Sequence, residues 1–245
     1  MQIKPAQQLS VVIPMYNEED NAEILVREVH AILAQHPDFE IIVVDDGSQD
    51  STFEKLSSLT KGLPQLRPVR HARNFGQSIG LISGIKKAKY PWIVTLDGDG
   101  QNDPADIPKL IQISEETGAD PRVLLAGHRV NRKDGRWRTL GSRWINRIRR
   151  WFLKDDCPDT GCGTKMFSRE KFMLLPHFNH MHRYLPALFK GIGGRVINIP
   201  VNHRPRTQGQ SKYDSWGRLK VGVVDLFGVA WLIRRLKVPE YKNDS

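Results

Sequence analysis

Trp92-Ile-Val-Thr-Leu-Asp97-Gly-Asp99-Gly-Gln101-Asn-Asp103 is a short apolar run that ends in alternating carboxylates. Its Trp92, Ile93, Val94 and Leu96 read as a buried strand, which would deliver Asp97 and Asp99 to the edge of a sheet. Open α/β folds bind their ligands at that edge, beyond the carboxyl ends of the strands. Two carboxylates one residue apart, with the Gln101 carbonyl nearby, make a hard-oxygen site. Such a site suits Mg²⁺ or Mn²⁺ that keeps its other positions for water and substrate phosphates. An EF-hand loop would need Gly at its sixth position and Glu at its twelfth, where this chain has Asn102 and Pro108. The plainer alternative is a polar turn capping the next helix, which Asp103-Pro104 would start well.

Outward from this stretch, the first half alternates strands and helices. Leu9–Ile13, Glu40–Val44, Val69–Arg73 and Val123–Ala126 are expected strands. Between them, helices are expected over Glu19–Gln35, from Gln49-Asp50-Ser51-Thr52 to near Gly62, from about Gly76 to Lys89, and from Pro104 to Thr117. Repeated βα units predict an α/β fold with a mostly parallel, doubly wound, Rossmann-like sheet flanked by helices.

The second half changes character. From Arg129 to Arg150 there are nine basic residues against one acid, Asp134. Leu140, Trp144, Ile145, Ile148, Trp151 and Phe152 recur at helical spacing while Arg143, Arg147 and Arg150 fall on another face, predicting an amphipathic basic helix over about 136–153. A last helix is expected from about Ser215 to Leu236, with an apolar run Val221–Ile233 interrupted by Asp225. It is too short to span a bilayer and fits an interfacial segment with Trp231 near the headgroups, or a docking helix.

The chain has 245 residues, enough for one large domain with appendages, and a net charge of +10. That surplus favours a polyanionic partner: nucleic acid, an anionic membrane surface or phosphorylated substrates. Cys157 and Cys162 are too few for a disulfide framework or an unaided zinc site, so reduced thiols are expected. The N-terminal residues lack a signal peptide's apolar core, so export is not expected. No stretch reaches the roughly 18 apolar residues of a transmembrane helix; a soluble or peripheral protein is expected.

Polar tips stand at successive strand ends: Asn17-Glu18, Asp45-Asp46 and Asp97-Asp99. No G-x-G-x-x-G follows the first strand, and no G-x-x-x-x-G-K-[ST] occurs, which argues against a dinucleotide fingerprint and a P-loop. A nucleotide held through base and ribose by carboxylates, with its diphosphate on a metal, is the reading that remains.

Val12-Ile-Pro14-Met-Tyr16-Asn17-Glu18, Val44-Asp-Asp-Gly-Ser48 and Asp97-Gly-Asp99-Gly-Gln101 resemble the three signatures of family 2 glycosyltransferases with the GT-A fold. The order continues with Gly127-His-Arg129, Gly141-Ser142-Arg143, Asp159-Thr-Gly-Cys-Gly163 and Arg206-Thr-Gln-Gly-Gln-Ser211-Lys212-Tyr213. That series is similar to the dolichol-phosphate mannose synthase group of polyprenyl-phosphate glycosyltransferases, over residues 9 to 235.

The resemblance implies a GT-A catalytic domain over 1–213, including the basic helix facing acceptor and membrane, and a C-terminal interfacial or docking helix and tail over 214–245. Pro14, Tyr16, Glu18 and Asp46 would line the nucleotide pocket, with Asn17, Asp45 and Ser48 beside it. Asp99 and Gln101 would hold the divalent metal, with Asp97 next to metal or sugar. Arg129, Ser142 and Arg143 would gather the acceptor phosphate and the donor's β-phosphate, and Arg206 and Lys212 would come from a loop closing over the diphosphate. Asp97, Asp99 and Arg129 are the implied catalytic residues.

The implied reaction is inverting transfer from GDP-mannose or a UDP-sugar to a dolichyl or undecaprenyl phosphate at the cytoplasmic face of the membrane. Unlike many relatives the chain carries no C-terminal transmembrane pair, so a membrane-protein partner for the last helix is an open expectation. Two other readings compete. A cell-wall or polysaccharide acceptor is disfavoured because the Q-x-x-R-W motif of processive synthases is absent. A nucleic-acid-binding protein could use Arg136-Trp137-Arg138 and Arg149-Arg150-Trp151, but it leaves the strand-end carboxylates unexplained, and no nucleic acid is expected as partner. Among smaller features, Cys157 and Cys162 read as packing or sugar-pocket residues. Asp159 reads as a turn cap that could touch the sugar, and His177, His180 and His182 as surface histidines, with metal or phosphate binding by one of them as the alternative. Asn74 and Gly76 would border the donor pocket.

Overall fold

A computed structural model of the chain describes residues 8–130, 149, 152–205 and 215–238. Seven strands form one sheet in the order β3-β2-β1-β4-β6-β5-β7. They are β1 (Gln8–Met15), β2 (Asp38–Asp45), β3 (Leu66–Arg70), β4 (Trp92–Thr95), β5 (Val123–Arg129), β6 (Lys165–Ser168) and β7 (Arg195–Val201). Pairings β1–β2, β1–β4, β2–β3 and β5–β7 are parallel, whereas β6 runs antiparallel to both β4 and β5.

The central strands are buried along almost their whole length, as continuous apolar runs in a sheet covered on both faces should be. Side chains alternate between two cores. Leu9, Val11 and Ile13 join Leu25 and Val29 of α1 (Glu19–Leu33) and Leu110 of α4 (Ile107–Glu116) on one face. Val12, Ile42 and Val44 meet Leu81, Ile82 and Ile85 of α3 (Gln77–Lys87) on the other, continuous with Leu188 of α6 (Leu185–Gly191). Three further helices among the described residues are α2 (Thr52–Leu59), α5 (Arg169–Met173) and α7 (Ser215–Arg235).

Three expectations are corrected. The third strand begins at Leu66 rather than Val69, because buried Leu66 takes the place opposite Ile41. The helix expected at Pro104 opens as a 3-10 turn over Pro104–Asp106, capped by the Asp103 side chain accepting from Ala105 N–H. Strands β6 and β7, which complete the sheet, were not expected. Lys165-Met-Phe-Ser168 carries no alternating pattern that marks a strand, and its residues are buried because the sheet encloses them on both sides.

Order along the sheet reverses between β1 and β4: the chain first winds outward to β2 and β3, then crosses to β4. Such a switch point leaves a crevice at the carboxyl ends of the strands. Asn17-Glu18 and Asp97-Asp99 stand on its two sides.

Candidate active site

Beyond β1, Asn17 takes the left-handed conformation (φ 51°) and is tied to the loop after β2 in both directions. Its backbone N–H donates to Ser48 Oγ at 2.9 Å, and its side-chain Oδ1 accepts from Gln49 N–H at 2.8 Å. Glu18 N–H donates to Thr52 Oγ1, and Glu18 Oε2 accepts from Asn21 Nδ2 at 2.8 Å. Asp45 is fully buried, and its Oδ1 accepts from Ser48 N–H at 3.1 Å, closing the turn. Asp46 accepts from the N–H groups of Phe75 and Gly76 and pairs with His71 Nδ1 at 2.6 Å. It thereby fastens the 71–76 segment and the start of α3 to the end of β2. Gly47 (φ 74°) passes so close to the Arg73 backbone that no side chain fits. Tyr16, Ser48, Arg70, Arg73 and Asn74 line the resulting cleft, about 600 Å³, above β1, β2 and β3. Pro14 lies below it, buried in β1 against Gly80.

A second cavity, about 420 Å³, opens above β4, β6 and β5 and is lined by Gln77, Asp97, Arg129, Lys165 and His182. Asp97 N–H donates to Asn102 Oδ1 at 2.7 Å, and Asp97 Oδ1 accepts from Gln77 Nε2 at 2.6 Å. Burial first, and Asp99 second, push the Asp97 carboxyl up to about 6, against the attraction of Lys165 and Arg129. Gly163 makes room for this carboxylate: a Cβ there would collide with it. Asp99 Oδ1 accepts from Gln101 N–H at 3.1 Å. Asp99 is near enough to Asp97 to raise its carboxyl, although it lines neither cavity.

Arg129, at the end of β5, forks onto Asp159 through Nε (2.6 Å) and one terminal nitrogen (2.7 Å). The geometry is bidentate and leaves three guanidinium N–H groups outside the fork. The Asp159 side chain thus holds an arginine, while its carbonyl closes its own turn by accepting from Cys162 N–H at 3.3 Å. Arg149, one of the nine basic residues of 129–150, is buried rather than solvated. It bonds Thr160 Oγ1 and the Cys157 carbonyl, with Asp155 at 3.1 Å. Together the two arginines shape the 155–163 loop that forms the cavity's outer wall.

His182 corrects the surface-histidine reading: it lines the cavity with Nδ1 2.7 Å from Ser78 Oγ. His180 pairs with Asp225 of α7 at 3.0 Å. Cys157 and Cys162 are buried free thiols, and Cys162 lines the cavity. Lys165, His71 and Gln77 escaped sequence reasoning. A lysine in an apolar strand was the one available signal, and it points inward only once β6 is seen between β4 and β5.

After β7 the chain returns to the carboxylate loop. Arg204 N–H donates to the Gln101 carbonyl at 2.9 Å, and the Arg204 guanidinium bridges Asp103 and Glu28, both at 2.7 Å. This leads the chain toward Arg206 and Lys212, which, like Ser142 and Arg143, lie outside the described residues. So does most of the basic 136–153 helix. The last helix is both docked and exposed. Val229 and Ala230 are buried against the α6 side, while Val224, Phe227 and Trp231 stand out, Trp231 being 61% exposed. No described helix is long and apolar enough to cross a membrane.

Residues 10–175 match the glycosyl transferase family 2 profile. The chain is 36% identical over 233 residues to dodecaprenyl-phosphate galacturonate synthase of Rhizobium johnstonii, spanning 93% of this chain and 68% of that protein. It is 33% identical over 213 residues to undecaprenyl-phosphate 4-deoxy-4-formamido-L-arabinose transferase of Edwardsiella ictaluri, spanning 86% and 64%. The chain thus spans about two thirds of the length of these relatives. Among solved structures it is similar to a mannosyltransferase from Pyrobaculum calidifontis in complex with GDP-Man and Mn²⁺, with TM-score 0.67, 21% identity, and 95% and 66% of the two chains covered. It is also similar to glucosyl-3-phosphoglycerate synthase from Mycobacterium tuberculosis in complex with Mn²⁺ and UDP-Glc, with TM-score 0.63, 19% identity, and 96% and 81% covered. Both likenesses speak to the fold. With a GT-A sheet, carboxylates on either side of its switch point and a matching profile over two thirds of its length, the chain belongs to glycosyl transferase family 2.

Proposed function

We propose that this protein transfers a sugar from a nucleotide sugar to a polyprenyl phosphate, with inversion at the anomeric carbon, giving a lipid-phosphate-linked sugar. The observation that carries the reading is the layout of one sheet edge: a cleft at Tyr16 and Ser48 beyond β1 and β2, and a polar cavity lined by Asp97 beyond the adjacent β4. A nucleoside, a diphosphate and a sugar are joined in that order. The two relatives named for transfer to prenyl phosphates support the acceptor.

Asp97, Asp99 and Gln101 offer two carboxylates and an amide, a donor set fitting Mg²⁺ or Mn²⁺. The fit shows in Asp97 itself, whose carboxyl is pushed up partly by Asp99, a repulsion that a cation would relieve. Among the described residues no cluster of three or more His, Cys, Asp or Glu forms a closed metal cage. Bound there, a divalent ion would supply positive charge beside the leaving diphosphate.

A phosphate monoester needs no general base, since its second pKa is about 6 and it is largely dianionic near neutral pH. Its oxygen forms the new bond to the anomeric carbon as the bond to the nucleoside diphosphate breaks on the opposite face. Arg129 stands by the cavity with three N–H groups outside its Asp159 fork and stabilises the phosphate charge gathered there. Arg143, Arg206 and Lys212 are assigned the same task from sequence.

The acceptor's headgroup lies at a bilayer surface. We assign that contact to the exposed Val224, Phe227 and Trp231 stripe, flanked by Arg234, Arg235 and Lys237, on the cytoplasmic leaflet. The test is extraction of labelled sugar into organic solvent after incubation of purified protein with labelled GDP- or UDP-sugars, polyprenyl phosphate and Mg²⁺ or Mn²⁺. Label in the organic phase that disappears with chelator supports the reading. Donor binding without lipid labelling would refute the acceptor.

A further inference from the structure

Lys165 is 3% exposed, in the strand between β4 and β5, directly across from Thr95. Its ammonium donates to two carbonyls of the 155–163 loop, those of Cys162 and, at 3.4 Å, Thr160. Among the described residues it has no carboxylate at ion-pair distance. The acids lining this cavity are otherwise engaged: Asp159 is forked by Arg129, and Asp97 accepts from Gln77. Asp97 attracts this ammonium from beyond ion-pair distance, and a buried cation with no anion in direct contact is costly unless a ligand supplies one.

His182 lines the same cavity, and its bonding to Ser78 favours one tautomer. Ser78 Oγ accepts from the His182 backbone N–H at 3.3 Å. Among the described residues, His182 Nδ1 is the one acceptor within reach of the Ser78 hydroxyl proton. Nδ1 is then the acceptor, and the ring proton sits on Nε2, the nitrogen left for a ligand. Burial first, then Arg183 and Lys165, hold this ring well below the usual imidazole range, so it remains a neutral donor. Arg183 adds a third cation to the lining, after Lys165 and Arg129, against the two acids Asp97 and Asp159. The wall behind Asp97 therefore presents hydrogen-bond donors and a surplus of positive charge.

We propose that Lys165 and His182 select a donor sugar that carries a carboxylate, a nucleotide-linked uronic acid, by receiving that group at the inner end of the cavity. The proposal rests on the sugar-transfer reading above. Position separates this carboxylate from the diphosphate as the source of negative charge. The cleft assigned to the nucleoside lies over β1, β2 and β3, and β4 and then β6 follow along the sheet, so Lys165 stands beyond β4 from the nucleoside.

The experiment compares kcat/KM for donor pairs differing only at C6: UDP-glucuronate with UDP-glucose, UDP-galacturonate with UDP-galactose, and GDP-mannuronate with GDP-mannose. The wild-type protein is expected to prefer one uronate over its neutral partner by about 100-fold or more, the scale of discrimination by a site whose buried polar groups are otherwise left unpaired. Lys165→Met is expected to collapse that ratio to within about threefold of unity, and His182→Leu to lower it about tenfold, a lost hydrogen bond to a charged group. A neutral sugar preferred by the wild type overturns the proposal. So does a Lys165→Met variant that loses both members of a pair, and affinity for the free nucleoside diphosphate, in equal proportion, since the lysine would then serve the diphosphate. Should Lys165→Met not fold, the wild-type ratio and His182→Leu decide. If no donor of any pair is transferred, the uronate proposal fails, while the sugar-transfer reading is decided separately by the wider donor panel and organic-phase extraction above.

Discussion

Replacing Asp97 with asparagine should make the protein more stable and inactive at once. Burial and the neighbouring Asp99 raise the folded-state carboxyl to about 6, whereas an unfolded chain holds it near 3.9. That difference is roughly 3 kcal/mol set against the ionised, folded form. Asp97 faces a cavity that water can enter, which moderates the penalty, so roughly 3 kcal/mol is an upper bound. The sign follows from proton binding. Between pH 4 and 6 the folded protein holds a proton that the unfolded chain has released, so stability falls as pH rises through this window and stays low above it. Asparagine keeps the acceptor for Gln77 Nε2 and sheds the charge. In chelator at pH 8, Asp97→Asn should therefore gain up to about 3 kcal/mol, or about 6–12 °C in Tm for a chain of this size. Near pH 4 the gain should shrink toward zero. Urea titrations of both proteins at the two pH values measure it. Mn²⁺ should stabilise wild type more than the variant, because ligand binding adds stability only to a form that binds. An Asp97→Asn protein equal to or weaker than wild type at pH 8 would refute the claim that this carboxylate is held at an energetic cost.

Three other outcomes follow from the geometry. Gly163→Ala places a Cβ where the Asp97 carboxylate lies; kcat should fall about 100-fold, and an unchanged kcat would show that Asp97 need not occupy that place. Asp159→Asn breaks the charged fork on Arg129 and should cost about 1.5–3 kcal/mol of stability. In a double-mutant cycle, Asp159→Asn with Arg129→Gln should cost less than the sum of the two, and strict additivity would deny the pairing. Phe227→Glu with Trp231→Glu should reduce cosedimentation with anionic vesicles at least about tenfold, since each ring's burial is worth about 1.5–3 kcal/mol. Transfer to a detergent-dispersed acceptor should change less, and unaltered vesicle binding would move the membrane contact elsewhere.

The apolar runs at Leu9, Glu40 and Trp92, each ending in polar or acidic residues, carry their meaning locally. A strand buried on both faces is mostly apolar, its exceptions such as Ser10 and Glu40 being bonded to each other, and a strand end at a ligand-binding edge carries polar groups. For that reason the βα alternation, the parallel sheet and the positions of Asn17, Glu18, Asp45, Asp46, Asp97 and Asp99 were all legible in the chain. The division of labour among those residues was not. Asp46 is spent on the N–H groups of Phe75 and Gly76, partners 29 and 30 residues away whose approach depends on how α3 docks. Lys165-Met-Phe-Ser168 became a strand because the gap between β4 and β5 takes one, and that antiparallel insertion turns Lys165 toward the cavity. His182 reads as a surface histidine until Ser78, 104 residues earlier, is beside it. Local pattern fixes what the βα segments of the first half are, through burial and backbone hydrogen bonding, whereas β6 is set by its neighbours. Which side chains share a cavity is decided by long-range packing, and the electrostatics of Asp97, Lys165 and His182 exist only in that shared space.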